Sequence, residues 1–360
     1  MARDVVSYVS RQTKPLESDS LDVLLVATDG VREAMVYRDL DVIREAFPDV
    51  GGEPSKIYRK ASALFDQGKT TKAESLYRKV KIVGFAAPQT PADLINAIES
   101  FRRNDDAWQV LLTDRDEPTY VKALIAYAES TEPTLAELMA GVEDHRKFYF
   151  GQTTDKTFIY DHARGAVIWV NDLKEEGDAA CIGNVAPFYP KRVTWKFKVP
   201  QGVTLADLTE GEKDALDEQH VNYLAKEYSF VYLKNGVCTD GEFIDALLGA
   251  DYCAKRIRDK VYTILTTEAD VPYDDNGFTL IGSGVTSGLN DAVGNNIIAK
   301  DPESGSGLYT VTIPTRAEAT DEDAGNRIIP TIKWTAVIEG AVHRVVVSGV
   351  LTVSLDALAA

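Results

Sequence analysis

Residue types that hold metals, attack carbonyls or cradle phosphates all occur in this 360-residue sequence, but none stands in the spacing its chemistry requires. His145, His162, His220 and His343 include no pair at i, i+3 or i, i+4, so no helix presents two imidazoles to one ion. Gly68-Lys69-Thr70 matches the end of a phosphate-binding loop, yet Ala63 occupies the place of the first glycine and the preceding pattern is helical. Gly282-Ser283-Gly284 with Gly288 has the glycines of a dinucleotide turn but no βαβ context, which favours a helix whose small residues permit close packing. Asp321-Glu322-Asp323 with Gly325 begins like a calcium loop, and Ile332 sits where a bidentate glutamate must close it. Cys181, Cys238 and Cys253 share no metal-type spacing and lie in no nucleophile signature, so they read as reduced, buried thiols. A carboxylate pair stays open among 56 acidic residues, because separation along the chain says nothing of proximity in a fold. No catalytic residue is assigned, and no metal, nucleotide or covalent cofactor is expected.

The elements that would position any site come from periodicity. Leu21–Ala27, Val80–Ala86, Trp108–Thr113, Phe148–Phe150 and Val167–Val170 are apolar, strand-like runs. Between them, Pro91 opens a helix with Leu94, Ile95, Ile98 and Phe101 on one face, and Pro118 opens another with Val121, Leu124, Ile125 and Ala128. Strands alternating with helices predict a largely parallel α/β sheet. A helical insertion broken at Gly51-Gly52 fills 38–79, and a helix is expected over Thr134–His145.

Near Gly183 the pattern changes. Pro187, Pro190, Pro200 and Gly202 surround a strand-like Arg192–Val199, and a capping box at Thr209 and Glu212 opens a helix expected to run through Leu216, Val221 and Leu224. Phe230–Leu233 reads as a strand, Asn235-Gly236 as a turn, and Asp240 as the cap of a long helix that ends before Pro272. A glycine-containing helix over 276–298 and a loop over 300–307 follow. The last stretch, Ile329–Leu358, predicts two strands around a Glu339-Gly340 turn. The fold class is therefore α/β, or α+β overall: a mixed α/β sheet lobe at 21–182, an α+β lobe at 183–340 with a C-terminal β-hairpin, and extended arms at 1–20 and 341–360.

Both arms carry strand patterns, and a terminal strand needs a partner. Val5, Val6, Tyr8 and Val9 precede a polar linker at 11–20, while Val345, Val346, Val347, Val350, Leu351 and Val353 lie near the other end. These residues are expected to pair with other subunits by strand exchange. A net charge of −17 and a pI near 4.7 argue against sequence-independent binding to nucleic acid or anionic lipid. Neither a membrane-span-length apolar run nor a signal-peptide pattern is evident, so the chain is expected to stay in the cytoplasm where it is made.

The order of features from Ala186-Pro187, through Val193-Thr194-Trp195-Lys196-Phe197-Lys198, Gly202-Val203-Thr204 and Asn222-Tyr223, resembles the contractile-tail sheath proteins of bacteriophages and phage-tail-like particles. The series continues with Gly241-Glu242-Phe243-Ile244-Asp245, Asp251-Tyr252, Arg256-Ile257 and Val271-Pro272-Tyr273-Asp274-Asp275-Asn276-Gly277. It closes with Ile332-Lys333-Trp334-Thr335 and Glu339-Gly340-Ala341-Val342-His343. The resemblance implies a non-enzymatic virion protein, assembled in the host cytoplasm as stacked hexameric rings around a tail tube. Those rings would contract to drive the tube through a cell envelope. Its implied partners are further copies of itself, the tube protein, and baseplate and tail terminator proteins. Two alternatives stay open: a cytoplasmic α/β enzyme or binder with a site near Thr28-Asp29 and Thr113-Asp114, and a tube or baseplate component.

Overall fold

The computed structural model describes residues 20–68 and 76–346. The chain divides into two compact units, one running to Asp251 and the other beginning at Tyr252. The first unit is built on a six-stranded sheet: β1 (Val23–Ala27), β2 (Arg32–Tyr37), β3 (Val80–Gly84), β4 (Val110–Thr113), β5 (Phe148–Thr153) and β6 (Gly165–Trp169), in spatial order β2-β3-β1-β4-β5-β6. The strands from β3 to β6 all run parallel, and β2 pairs antiparallel on β3 with a register shift between Arg32 and Met35. The five apolar runs expected as strands between residues 21 and 170 are all present in the sheet. The addition is β2, whose REAMVY sequence lacks clean alternation because an edge strand with exposed residues has no buried face to enforce it.

Helices cover the sheet: α1 (Leu40–Ala46), α2 (Lys56–Phe65), α3 (Pro91–Arg102), α4 (Pro118–Ser130), α5 (Leu135–Met139), α6 (Gly177–Val185) and α7 (Glu210–Glu218). Gly51 and Gly52 take positive φ between α1 and α2, as the expected break requires. One core layer lies under α2 and α6, with Leu25, Ile82, Leu112 and Phe150 of the sheet facing Leu64, Ile182 and Trp195. The other lies under α3 and α4, with Leu24, Leu111 and Val167 facing Ile98, Leu124 and Ile125.

Several expectations are corrected. The helix after Thr134 ends at Met139, although Thr134 and Glu137 do form a reciprocal capping box. Segment 192–199 makes no strand; Trp195 is buried and stacks on Phe150 at 5.4 Å, and Phe197 takes a left-handed φ of 66° that interrupts extended backbone. Helix α7 stops at Glu218, so Leu224 belongs to β7 (Leu224–Glu227), which pairs antiparallel with β8 (Phe230–Leu233). Asp240 caps a turn by accepting from the Glu242 amide, and α8 (Ile244–Thr267) begins four residues later. Gly183 lies inside α6 with Cys181, Ile182 and Val185 in the first core, so residues 183–251 add to the first unit where a new lobe was expected.

In the second unit α8 packs on α9 (Asp275–Gly294), then come β9 (Tyr309–Thr312), α10 (Asp321–Asn326) and β10 (Lys333–Ala336). The glycines of α9 do serve close packing: a Cβ on Gly288 would lie 2.8 Å from the Ile257 backbone, and one on Gly284 would lie 2.9 Å from the Ile264 side chain. β10 pairs antiparallel with β9, bringing Trp334 opposite Val311; the strand expected after Gly340 lies, from residue 347 on, outside the described residues. Val345 and Val346 lie outside any strand and are 71% and 81% exposed.

Candidate functional site

In the sheet, β1 lies between β3 and β4, so the chain leaves β1 to one side and returns on the other; ligands of open α/β sheets bind beyond such a switch point. Thr28 and Asp114 meet there. The Thr28 amide donates to Asp114 Oδ2 and its hydroxyl to Oδ1, both at 2.8 Å, and Arg115 Nε donates to Thr28 Oγ1 at 2.8 Å. Burial pushes the Asp114 carboxyl above its usual range, with the Thr28 hydrogen bonds opposing. Thr113 accepts from the Arg115 amide at 3.2 Å. Asp29 points elsewhere and pairs with Arg32 at 2.5 Å. This geometry is a closed bridge between the ends of β1 and β4, whose carboxylate is spent on a backbone and a hydroxyl donor.

Beside it lies a charge cluster that sequence reasoning missed. Lys60, on the buried face of α2 with Ile57, Ala61 and Leu64, is fully buried. Its ammonium is 2.5 Å from Asp178, 3.2 Å from Glu176 and 3.4 Å from Asp116. Lys56 reaches Asp116 at 2.7 Å, Arg59 reaches Glu176 at 3.0 Å, and the Gln152 amide donates to Asp116 at 2.7 Å. Burial opposes the charge on Lys60, but Asp116, Asp178 and Glu176 outweigh it and hold the ammonium well above the usual lysine range. Asp178 is pushed up to about 6 by burial and by its neighbouring carboxylates, against the pull of Lys60. Burial also opposes ionisation of Asp116, but Lys60 and Lys56 prevail and hold its carboxyl low. A lysine so firmly protonated is no nucleophile. The arrangement balances cations against carboxylates and ties α2 to α6 and to the loop after β4.

The other chemical candidates are likewise absorbed. Cys181 and Cys238 are buried, and burial pushes both thiols up; it takes Cys253 up to about 11, so the thiolate needed for attack is disfavoured. His145 bridges Asp106 at 2.7 Å and Glu143 at 3.0 Å, His162 meets Glu129, and His220 Nδ1 lies 3.2 Å from the Thr239 carbonyl oxygen. Among the described residues no group of three or more His, Cys, Asp or Glu side chains converges as a metal site, and no helix is long and apolar enough to cross a membrane. Asp321, Glu322 and Asp323 form the first turn of α10.

Of the expected strand-exchange residues, Val5, Val6, Tyr8, Val9, Val347, Val350, Leu351 and Val353 lie outside the described residues. Val345 and Val346 follow a different candidate surface. The β9–β10 ladder has only two strands, so each offers an unpaired edge among the described residues. Around it Trp334 is 40%, Ile338 51% and Val342 72% exposed.

No family model matches the chain, and no curated protein matches it by sequence. Solved structures do. A chain of the anti-feeding prophage (AFP) baseplate, six-fold symmetrised, superposes with a TM-score of 0.70 at 11% identity, covering 98% of this chain and 100% of that one. A chain of the AFP helical sheath in the contracted state gives 0.66 at 9% identity over 98% and 100%. A chain of the PVC sheath complex of an extracellular contractile injection system, also contracted, gives 0.64 at 10% identity over 99% and 100%. From β1 to the β9–β10 ladder, the chain has the fold of contractile-injection-system sheath chains.

Proposed function

We propose that the chain is a non-enzymatic structural subunit of a contractile tail sheath, on a phage or a phage-tail-like particle. It stacks as hexameric rings around a tail tube and contracts to drive that tube through a target envelope. Its partners are further copies of itself, the tube protein, and baseplate and terminator proteins. One observation carries this reading: the likeness to two contracted sheaths spans 98% and 99% of the chain, leaving almost no described element without a counterpart. Strand addition supplies the linkage, because main-chain hydrogen bonds form whatever the side chains and the linkers bend. The open edges of β9 and β10 are the acceptors, and the terminal arms of neighbouring subunits are the donors. The enzyme alternative is disfavoured by the Lys60 cluster, which fills the region beside the sheet switch point with mutually neutralised charge.

Negative-stain microscopy of the purified chain tests this: hollow tubes of stacked rings are expected, and a chain that stays monomeric at every concentration overturns it. A second reading draws on the 0.70 superposition with a baseplate chain. On that reading the protein forms a single ring at the baseplate end, and the same images would show isolated rings that never stack.

A further inference from the structure

Two segments of this chain oppose its overall charge of −17. Residues 186–200 and 224–234 carry Lys191, Arg192, Lys196, Lys198, Lys226 and Lys234, against Glu227 as their sole carboxylate. Arg192 pairs with Asp245 and Lys234 with Glu227. Lys191, Lys196 and Lys226 have no ion-pair partner among the described residues. The segments form one surface: the Phe197 amide donates to the Leu233 carbonyl at 3.1 Å and the Leu233 amide to the Lys198 carbonyl at 2.7 Å, so residues 197 and 198 run along β8. Partial burial and the nearby Lys234 both push the Lys196 ammonium down, a cost that an incoming carboxylate would relieve. Aromatic rings stand out between the lysines. Tyr228, at a left-handed φ of 55° on the hairpin tip, is 97% exposed, Phe230 is 70% and Phe197 45%.

The complementary surface is on the second unit of the same chain. Residues 268–275 carry Glu268, Asp270, Asp274 and Asp275 and no basic side chain. The Arg316 amide donates to Asp275 Oδ1 at 2.6 Å, and the Tyr273 hydroxyl donates to the Ile328 carbonyl at 2.6 Å. These two contacts seat the segment bearing exposed Asp321 and Glu322 against that turn.

We propose that the basic, aromatic surface of the β7–β8 hairpin docks the acidic face formed by residues 268–275 and α10 of a second copy of this chain. Subunits that each carry −17 repel one another, and assembly needs places where the local sign inverts. Exposed tyrosine and phenylalanine between cations provide the apolar centre that a docking surface requires. Because two different patches meet, the contact is heterologous and repeats from copy to copy, as a ring or helix demands. The proposal rests on the reading of the chain as a self-assembling subunit.

The test uses the full chain with K191E/K196E/K226E on one surface and D270K/D321K/E322K on the other, followed by sedimentation velocity. Each triple variant alone is expected to associate at least ~10-fold more weakly than wild type. Mixing the two variants in equal amounts is expected to restore association, since each reversed surface then meets an opposite charge. Raising salt from about 0.1 M to about 1 M, which shortens the screening length from ~10 Å to ~3 Å, is expected to weaken the wild-type contact. Should a charge reversal fail to fold, Y228S/F230S leaves every charge in place and is expected to weaken association as well. Rings or tubes that form regardless of these changes overturn the docking alone; a monomeric wild-type chain overturns both the docking and the assembly reading. Charge-dependent retention of nucleic acid by the wild-type chain, with self-association untouched by the reversals, also overturns it.

Discussion

The ammonium of Lys60 in α2 lies 2.5 Å from the carboxylate of Asp178 in α6, and neither side chain is more than 2% exposed. An ion pair so deeply buried holds two helices in one arrangement more than it adds net stability, since desolvating both charges offsets much of their attraction. Removing one partner is a different matter.

Lys60→Met leaves Asp116, Glu176 and Asp178 buried together and should cost about 3–5 kcal/mol near neutral pH. Without Lys60, the folded-state pKa of Asp178 rises further above its unfolded value, and Asp116 loses a cation that holds its carboxyl low. A raised carboxyl contributes stability that is present below its unfolded pKa and lost as pH rises through its folded pKa, which for wild-type Asp178 is already about 6. The deficit of the variant should therefore be larger at pH 8 than at pH 5 in urea unfolding. A deficit independent of pH would show that packing, not charge, is what Lys60 supplies.

Gly183→Ala probes the same pair of helices by volume. Its Cβ would fall 2.0 Å from the Leu64 carbonyl oxygen and 2.7 Å from its carbon, both backbone atoms, so α2 and α6 must separate. A loss of roughly 1–3 kcal/mol is expected, read as a lower urea midpoint at unchanged slope. Gly211→Ala in α7, where nothing lies within 4 Å, is the control and should not destabilise. Equal effects at the two positions would refute the close-approach argument.

Arg164 anchors the start of α8 from within the first unit. Its guanidinium meets Asp251 at 2.5 Å and Glu132 at 3.1 Å, and its Nε donates to the Lys147 carbonyl at 2.8 Å. Arg164→Met should cost about 3–5 kcal/mol and speed hydrogen exchange in the first turns of α8, with much of the stability returning in R164M/D251L. Unchanged exchange there would sink the anchoring role.

The assembly reading makes its own demand on the termini. Deleting residues 1–13, or introducing Val347→Pro, should abolish polymers while leaving the thermal transition in place. Proline removes a ladder donor at a cost of about 3 kcal/mol or more, repeated at every subunit. Tubes of normal length from V347P subunits would show that the C-terminal strand is dispensable.

What the sequence determined by itself is what short-range physics sets. β1, β3, β4, β5 and β6 were legible because their apolar runs repeat over a few residues, α3 because Pro91 opens a stripe of Leu94, Ile95, Ile98 and Phe101, and the start of α7 because Thr209 with Glu212 is a cap closed within one turn. The order of packing and turn residues was enough to suggest a sheath, and the α/β fold found for the chain agrees with it. Tertiary structure decided the rest. Lys60 and Asp178 are 118 residues apart, and nothing local distinguishes Lys60 from a solvated helix lysine until α6 covers it. The ladder of β10 with β9 sets Ala336 opposite Tyr309 across the intervening α10, so nothing local to β10 announces this partner. β2 is an exposed edge, so no buried face imposes a period on its side chains; only the free edge of β3 makes it a strand.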